Sequence, residues 1–532
     1  MEGMEKRILL AIVLSAIILF AYTYFIPSPK QTQKEQGSEQ PVQEKADGIS
    51  PAEKTTIDVS GEKIKEEKVI TVNTDLYKAV FTNRGGVLKH WELKQYWVDL
   101  EKKKNVVLFD PGDQVVGSYP LSVFFPDSEI SKVIKEGLFN IEGEDLNLSS
   151  KTPEGSLSFT FVESKSGKGL KKIMRFHNDS YKVDVDIIPV NISGNYSVST
   201  GSNFGIAEWG EAKMVGFVGP TTMLGTKVKK DKVAKIKGPV YHDGEVKWTA
   251  LQDKYFISAL IPGDKVNKAI IKKNSEKDVQ AEIEVPDGKK ISLSLFAGPK
   301  EYGLLKSLNV GLDHSISFGW FIIWDLSIIA WMAKGLFSIL QFFYKISHNY
   351  GIAIILLTFI VRVVFIPLTY KSFKSMKGLQ TLQPEIQKLQ KKYKDDRAEL
   401  NKAMMELYKN HKVNPLGGCL PMVLQLPVFI GLYNLLAATI ELRHSPLFLW
   451  IKDLSVKDPY YVMPIIMGIT MVVQQKMTPT TVDPMQAKIM LIMPVVFTFF
   501  FLNFPSGLVL YWLVNNVLTI AQQYATVRYS KR

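Results

Sequence analysis

The chain has 532 residues, 46% of them hydrophobic and 22% charged, and a formal net charge of +13. That length exceeds one ordinary domain, and the positive balance points to an anionic partner: lipid head groups, nucleic acid or the ribosome. A single cysteine, Cys419, excludes an intrachain disulfide and a cysteine-built metal site.

Ile8 to Ile26 is a run of 19 residues without a charge, preceded by Lys6 and Arg7. It is long enough to cross a bilayer, and no A-x-A-like cleavage site follows it. The reading is an uncleaved signal anchor over 1–26 with a cytoplasmic N-terminus. Residues 27–68 are rich in Gln, Glu, Lys, Ser and Pro and poor in apolar residues. They read as a disordered linker.

Residues 69–310 read as an all-β sandwich domain outside the cytoplasm. Strand-like alternation is clear in Leu157-Ser-Phe-Thr-Phe-Val162, Tyr181-Lys-Val-Asp-Val-Asp-Ile187 and Ile291-Ser-Leu-Ser-Leu-Phe296. Turn signals such as Asn83-Arg-Gly-Gly86, Asp243-Gly244 and Pro286-Asp-Gly288 separate the runs. Many short strands with polar turns argue for a sandwich.

Residues 316–346 are apolar enough to suggest a span, but Ser327, Lys334, Ser338, Gln341 and Lys345 fall on one stripe of a helical wheel. An apolar helix with one polar stripe lies in the interface instead of crossing. Charge parity agrees. If the segment crossed, the most basic loop of the C-terminal half would face outward, against the positive-inside rule. Spans are then predicted over 349–370, 417–438, 460–477, 489–503 and 506–525. With the anchor this makes a polytopic α-helical membrane protein of six transmembrane helices, five of them forming one core. Both termini are cytoplasmic.

Residues 371–413 read as a cytoplasmic helical hairpin. Leu379, Leu382, Ile386, Leu389 and Tyr393 make one coiled-coil seam, and Leu400, Met404 and Leu407 the facing one. Asp395 and Asp396 make the turn, Asp396 with Glu399 resembles a capping box, and Pro384 kinks or restarts the first helix. Between Lys371 and Lys412 there are 11 Lys and Arg against 5 Asp and Glu, a net charge of +6. This is either a solvated basic face or a docking arm for anionic partners.

Arg362 is the one charge well inside any predicted span. Such a residue costs about 2.5–3.5 kcal/mol on insertion scales, so it marks either a structural pairing with carbonyls or Gln425, or a polar, water-holding cavity. Thr358 and Thr369 share its helical face. Gln425 and Asn434 in the third span point in opposite directions, so only one of them faces such a cavity. Asn515, Asn516 and Gln522 in the last span are further polar groups for such a cavity. The fourth and fifth spans are short and carry Pro464 and Pro494, a pattern that thins the bilayer locally.

No enzymatic constellation stands out. The seven histidines are scattered, none in an H-E-x-x-H pair, and no phosphate-binding loop occurs. No catalytic residue, metal or cofactor is expected.

The C-terminal half resembles the YidC insertase family, in the Gram-negative form with a large periplasmic domain. The resemblance rests on Thr358-Phe-Ile-Val-Arg362, Asn414-Pro-Leu-Gly-Gly-Cys419, Gln425-Leu-Pro427, Asp458-Pro-Tyr-Tyr461, Gln475-Lys-Met-Thr-Pro479, Asp483-Pro-Met-Gln486 and Phe504-Pro-Ser-Gly-Leu-Val-Leu-Tyr511. Weaker matches cover Trp248 to Pro262 and Phe296-Ala-Gly-Pro299. The resemblance implies a five-helix core with a hydrophilic groove that inserts nascent membrane proteins, alone or with the Sec translocon. It places Arg362, Thr358, Gln425, Asn516, Tyr511 and Trp512 in the groove, and Leu426 and Pro427 on a slide for the substrate helix. Trp512 stands where Tyr is frequent in the family. The resemblance also implies contact with the ribosome and signal recognition pathway through the hairpin, contact with membrane lipids, and no specific nucleic-acid sequence. Only Val527 to Arg532 follow the last predicted span, so docking through a long basic tail is not expected. Two other function classes compete: a secondary transporter holding an anionic solute at Arg362, and a membrane-anchored periplasmic enzyme built on the β-domain. Against the transporter, the spans contain no inverted repeat and no intramembrane carboxylate.

Overall fold

The computed structural model describes residues 66–110, 118–202, 204–205, 217–275, 278–316, 327–393, 396–411, 413, 420–477 and 484–529. The anchor expected at 1–26, and nearly all of the linker, lie outside them. The chain divides into two compact units, one formed by Ser60–Thr381 with Asn414–Arg532 and the other containing Leu382–Val413.

The N-terminal part of the larger unit is β-structure in three sheets. A nine-stranded sheet runs from the edge strand Lys227–Lys230 through Gly219–Leu224, Val246–Gln252, Phe256–Pro262 and Ile291–Pro299. It continues through Lys182–Val190, Gly169–His177 and Glu154–Val162 to Asn140–Glu142. One five-stranded sheet takes Asn105–Phe109, Val87–Trp97, Tyr77–Thr82, Val69–Asn73 and Leu146–Asn147 in that order, and the other Val240–Asp243, Lys268–Lys273, Val279–Val285, Tyr196–Ser199 and Val123–Phe124. The period-two pattern explains the facing. Val183, Val185 and Ile187 are buried, as are Ile291, Leu293 and Leu295 on the paired strand. The intervening serines bond across the ladder, Ser292 to Asp186 and Ser294 to Asp184, both at 2.6 Å.

Lys172 joins two of these sheets. It is fully buried in the nine-stranded sheet, and its Nζ donates to the carbonyls of Gly85, Gly86 and Leu121 at 2.8, 2.9 and 2.8 Å. Gly85 and Gly86 form the turn before Val87, at φ of +74° and +57°, where a side chain is strained. Burial pushes the Lys172 ammonium down to about 7. Three carbonyls matched to its three N–H donors work against that shift.

Helices follow. Two short ones, α1 (Ser128–Glu136) and α2 (Tyr302–Ser307), belong to the β-domain. The rest of the larger unit is α3 (Ser327–Ser347), α4 (Tyr350–Thr381), α7 (Leu420–Ala438), α8 (Val462–Met477), α9 (Pro484–Phe501) and α10 (Ser506–Tyr529). α3 buries Ala333, Phe337 and Leu340 and exposes Lys334, Ser338 and Lys345, with Trp331 also exposed. α4 is continuous for 32 residues, with Pro367 inside it. It therefore runs past Lys371, where the charge pattern predicts the start of the hairpin, because no proline occurs between Lys371 and Pro384.

Among the described residues one helix, over Tyr350–Tyr370, is long and apolar enough to cross a membrane. Gln425–Leu436, Val462–Met477 and Ile492–Phe501 are shorter apolar stretches. Their outer faces are apolar: Val364 on α4, Ile469 on α8, and Val495 and Phe499 on α9 are all exposed. A helical bundle with polar groups inside and bare aliphatic residues outside is solvated by lipid.

A loop rich in hydrogen bonds closes the N-terminal ends of α8 and α10. The buried Asp458 carboxylate accepts from Trp450 Nε1 at 3.0 Å and from the amides of Tyr460 and Met463 at 3.0 and 2.8 Å, satisfying free donors at the start of α8. The amides of Ser506 and Gly507 donate to the carbonyls of Val456 and Leu454 and fix the start of α10.

The smaller unit is a helical hairpin of α5 (Gln383–Lys392) and α6 (Arg397–Asn410). Pro384 sits in the first turn of α5, so it restarts the helix without kinking it. Asp396 caps α6, accepting from the amides of Ala398 and Glu399 at 3.1 Å each. Ile386 and Tyr408 are buried, and Leu389, Leu400, Met404 and Leu407 are half-buried.

Candidate functional site: a buried guanidinium among three helices

Arg362 lies midway along the apolar part of α4 and is 9% exposed. It borders a cavity with Val361, Phe365, Leu368 and Thr369 of the same helix, Gln425 and Val428 of α7, and Tyr511 and Asn515 of α10. These positions follow helix geometry. Thr369 lies seven residues, two turns, beyond Arg362, and Asn515 one turn beyond Tyr511. The Arg362 Nε is buried without a hydrogen-bond partner. An unpaired buried donor on a cation is costly, so this is a site where solvation or a partner is in demand.

The cavity volume is about 20 Å³, room for one or two water molecules. Phe365, Leu368 and Val428 share the lining with the polar groups.

The expected site residues divide into those that meet here and those that do not. Arg362, Gln425 and Tyr511 share the cavity. Thr358 is buried one turn away, its hydroxyl donating to the carbonyl of Ile354 at 2.6 Å. Asn516 faces α8, where its Nδ2 donates to the Thr470 hydroxyl at 3.2 Å. Trp512 turns to an aromatic cluster, edge-on to Phe429 at 4.8 Å and against Phe501 at 5.2 Å. Leu426 is 51% exposed on α7, beside the half-buried Pro427. Thr369, which shares the helical face of Arg362, and Asn515, one of the polar groups of the last span, also line the cavity. Of the pair that cannot both face inward, Gln425 does so, and Asn434 is buried elsewhere.

Polar bridges hold α10 beside this site. Gln522 Nε2 donates to Thr369 Oγ1 at 2.6 Å and Gln523 Nε2 to the Met477 carbonyl at 2.8 Å. No group of three or more His, Cys, Asp or Glu side chains suited to a metal ion occurs among the described residues.

Comparison with known proteins assigns both halves of the chain. The family described as 60Kd inner membrane protein matches residues 342–532, and the YidC periplasmic domain family matches residues 69–339. A membrane protein insertase YidC from Syntrophus aciditrophicus is 41% identical over 98% of this chain and 99% of its own length. One from Geotalea daltonii is 42% identical over 98% of each chain. The chain belongs to the YidC membrane insertase family.

Membership makes the chain a membrane protein insertase of the inner membrane carrying a periplasmic domain. A solved structure of an active YidC insertase is also similar, with 20% identity, a TM-score of 0.39 and coverage of 87% of this chain and 93% of that one. In YidC terms the cavity lies wholly within the 60Kd inner membrane protein match, and the three sheets lie within the periplasmic match.

Proposed function

We propose that the buried Arg362 guanidinium receives the short polar segment of a nascent membrane protein and draws it into the bilayer. The observation that carries this reading is a cation among three helices whose Nε has no partner. At an effective dielectric of about 20, a carboxylate 4 Å from such a charge gains roughly 4 kcal/mol, against about 1 in water. The membrane potential adds about 2.3 kcal/mol per 100 mV for a negative charge moving outward. The client's apolar segment then leaves along Leu426, Pro427 and α9, and its solvation by lipid provides most of the driving force. No covalent step is involved.

In this reading six helices span the membrane: residues 8–26, the apolar part of α4, α7, α8, α9 and α10. Both termini and the hairpin are cytoplasmic, the β-domain is periplasmic and α3 lies in the interface. Thr358, Asn516 and Trp512 support the site from its rim. The hairpin, together with the lysine-bearing end of α4, carries a net charge of +6 between Lys371 and Lys412 and meets the ribosome and the signal recognition pathway, and the core works alone or beside the Sec translocon.

The test is reconstitution of the purified protein in liposomes with a single-span client bearing an acidic N-terminal segment, comparing wild type with Arg362→Ala. Insertion by wild type alone supports the reading. Equal insertion by both makes the arginine structural or client-specific, and insertion by neither folded protein favours the secondary transporter holding an anionic solute at Arg362.

A further inference from the structure

The turn between the strands Val87–Trp97 and Asn105–Phe109 has no part in the site above, and its composition is unusual for a turn. Val98 and Leu100 are 45% and 46% exposed, where turn positions ordinarily carry polar residues. Lys102, at φ +57°, lays its Nζ over the Trp97 ring at 4.5 Å. Lys103 pairs with Glu101, and Lys104 follows, its carbonyl accepting from the Val98 amide at 2.8 Å. Two bare aliphatic side chains, an aromatic ring under a cation and two more lysines are thus gathered on one tip.

This tip is held against the helical part of the same unit. Arg443, in the loop after α7, donates through Nη2 to the Val98 carbonyl at 3.1 Å, and its guanidinium lies 5.7 Å from the centre of the Tyr255 ring. The neighbouring His444 is pushed below its usual value by burial and by the Arg443 charge, and Asp99 and Lys102 of the turn also act on it. The same loop exposes Phe448 and Leu449, at 56% and 77%. The turn therefore stands at the level where α7 ends.

We propose that this turn is a membrane contact of the β-domain, in which Val98 and Leu100 enter the outer-leaflet boundary and Lys102, Lys103 and Lys104 bind lipid phosphates. The proposal rests on the reading that α7 and its neighbours span the bilayer with the β-domain outside. A lipid surface fits better than a protein partner for two reasons. The turn is fixed to the end of a predicted span, and head groups are what surround that end. Its side chains also pair an apolar body with a cationic tip, the pattern that suits a boundary dry on one side and wet on the other. Asp99 and Glu101 offset two of the three lysines, so the apolar pair carries the contact and the lysines bias it toward anionic lipids.

The experiment uses the full chain in a Cys419→Ser background, with a spin label at Leu100→Cys or, separately, at Phe499→Cys on the exposed face of α9. The protein is placed in nanodiscs of phosphatidylcholine alone or mixed with phosphatidylglycerol. Relative accessibility to oxygen and to a polar nickel reagent reads immersion depth. The expected result is an interfacial label at Leu100, deeper with phosphatidylglycerol and returned to water by the combined substitutions Lys102→Glu, Lys103→Glu and Lys104→Glu. An aqueous Leu100 label beside an immersed Phe499 label overturns this proposal and leaves the spans intact. Aqueous labels at both positions overturn the spanning reading with it. A Leu100 label that is aqueous in nanodiscs but shielded in native membrane vesicles overturns the lipid contact in favour of a protein.

Discussion

Gln522 of α10 donates a 2.6 Å hydrogen bond to the hydroxyl of Thr369 on α4, and that hydroxyl borders the cavity of Arg362. The bond ties α10 to α4 beside the cavity. Thr369→Val removes the acceptor and leaves the Gln522 amide unpaired. Interhelical hydrogen bonds in membranes contribute about 0.6 kcal/mol on average and up to about 1.7. Thr369→Val is expected to lower the unfolding temperature in detergent by a few degrees and to widen the distance distribution between spin labels on α4 and α10. An unchanged distribution would show that other contacts set the spacing.

Arg362→Met should separate stability from function. The wild-type guanidinium is buried with one donor unpaired, and replacing an uncompensated buried charge with an apolar side chain of similar length is neutral or stabilising, by about 1 kcal/mol or more. The expected outcome is an unchanged or raised thermal midpoint together with lost insertion of clients bearing acidic segments. A lowered midpoint would mean that the arginine holds the helices together.

The junction between the β-domain and the helices should respond to pH through Glu441. Burial pushes its carboxyl up to about 8, and the Glu301 carboxylate adds to the shift, while the Tyr302 amide bonds the carboxylate and opposes it. Tyr96 and Tyr350 complete the titratable surroundings, and the Tyr96 hydroxyl donates to Glu301 at 2.5 Å. A carboxyl raised in the folded state stabilises that state while it is protonated. Its contribution is full below about 4.5 and is lost as pH rises through about 8. Thermal unfolding from mildly acidic to mildly alkaline buffer should fall more steeply in wild type than in Glu441→Gln, and parallel curves would remove the carboxyl from the account.

Lys172→Met should destabilise the β-domain. The substitution keeps the apolar stem and strands three buried carbonyls, at a cost of at least about 3 kcal/mol when each unpaired group costs about 1–3. A guanidinium titration of the full-length protein should show an earlier transition for the sheet domain, and a change below 1 kcal/mol would mean that water replaces the ammonium.

Arg362 was legible because an isolated cation in an apolar run has few structural explanations. The sheet domain was legible as alternation, down to Leu157, Val183 and Ile291 facing inward. The order of the strands was not, since nothing in Gly219–Leu224 announces that it lies between Lys227–Lys230 and Val246–Gln252. The apolar span was legible, 349–370 against Tyr350–Tyr370, but its continuity with the helix up to Thr381 was not, because lysines mark where hydrocarbon gives way to water and do not end a helix. The rims of the site were hardest. Asn515 and Asn516 differ by 100° on one helix, and only packing against α4 and α8 decides which of them reaches the cavity. Trp512 went to the Phe429 and Phe501 cluster by the same rotation.

The unbroken length of α4 has a mechanical consequence. Its 32 residues make a rod of about 48 Å, at 1.5 Å per residue. Pro367 removes one amide bond from that rod five residues beyond Arg362 and weakens it there in bending. The helix is thus a jointed lever, with Arg362 on one arm and Lys371 to Thr381 on the other. Sideways load on the lysine-bearing arm is taken up first by flexure at the joint, and the arm that carries the arginine keeps its bearing. Axial load, which a hinge cannot absorb, passes straight to the cavity.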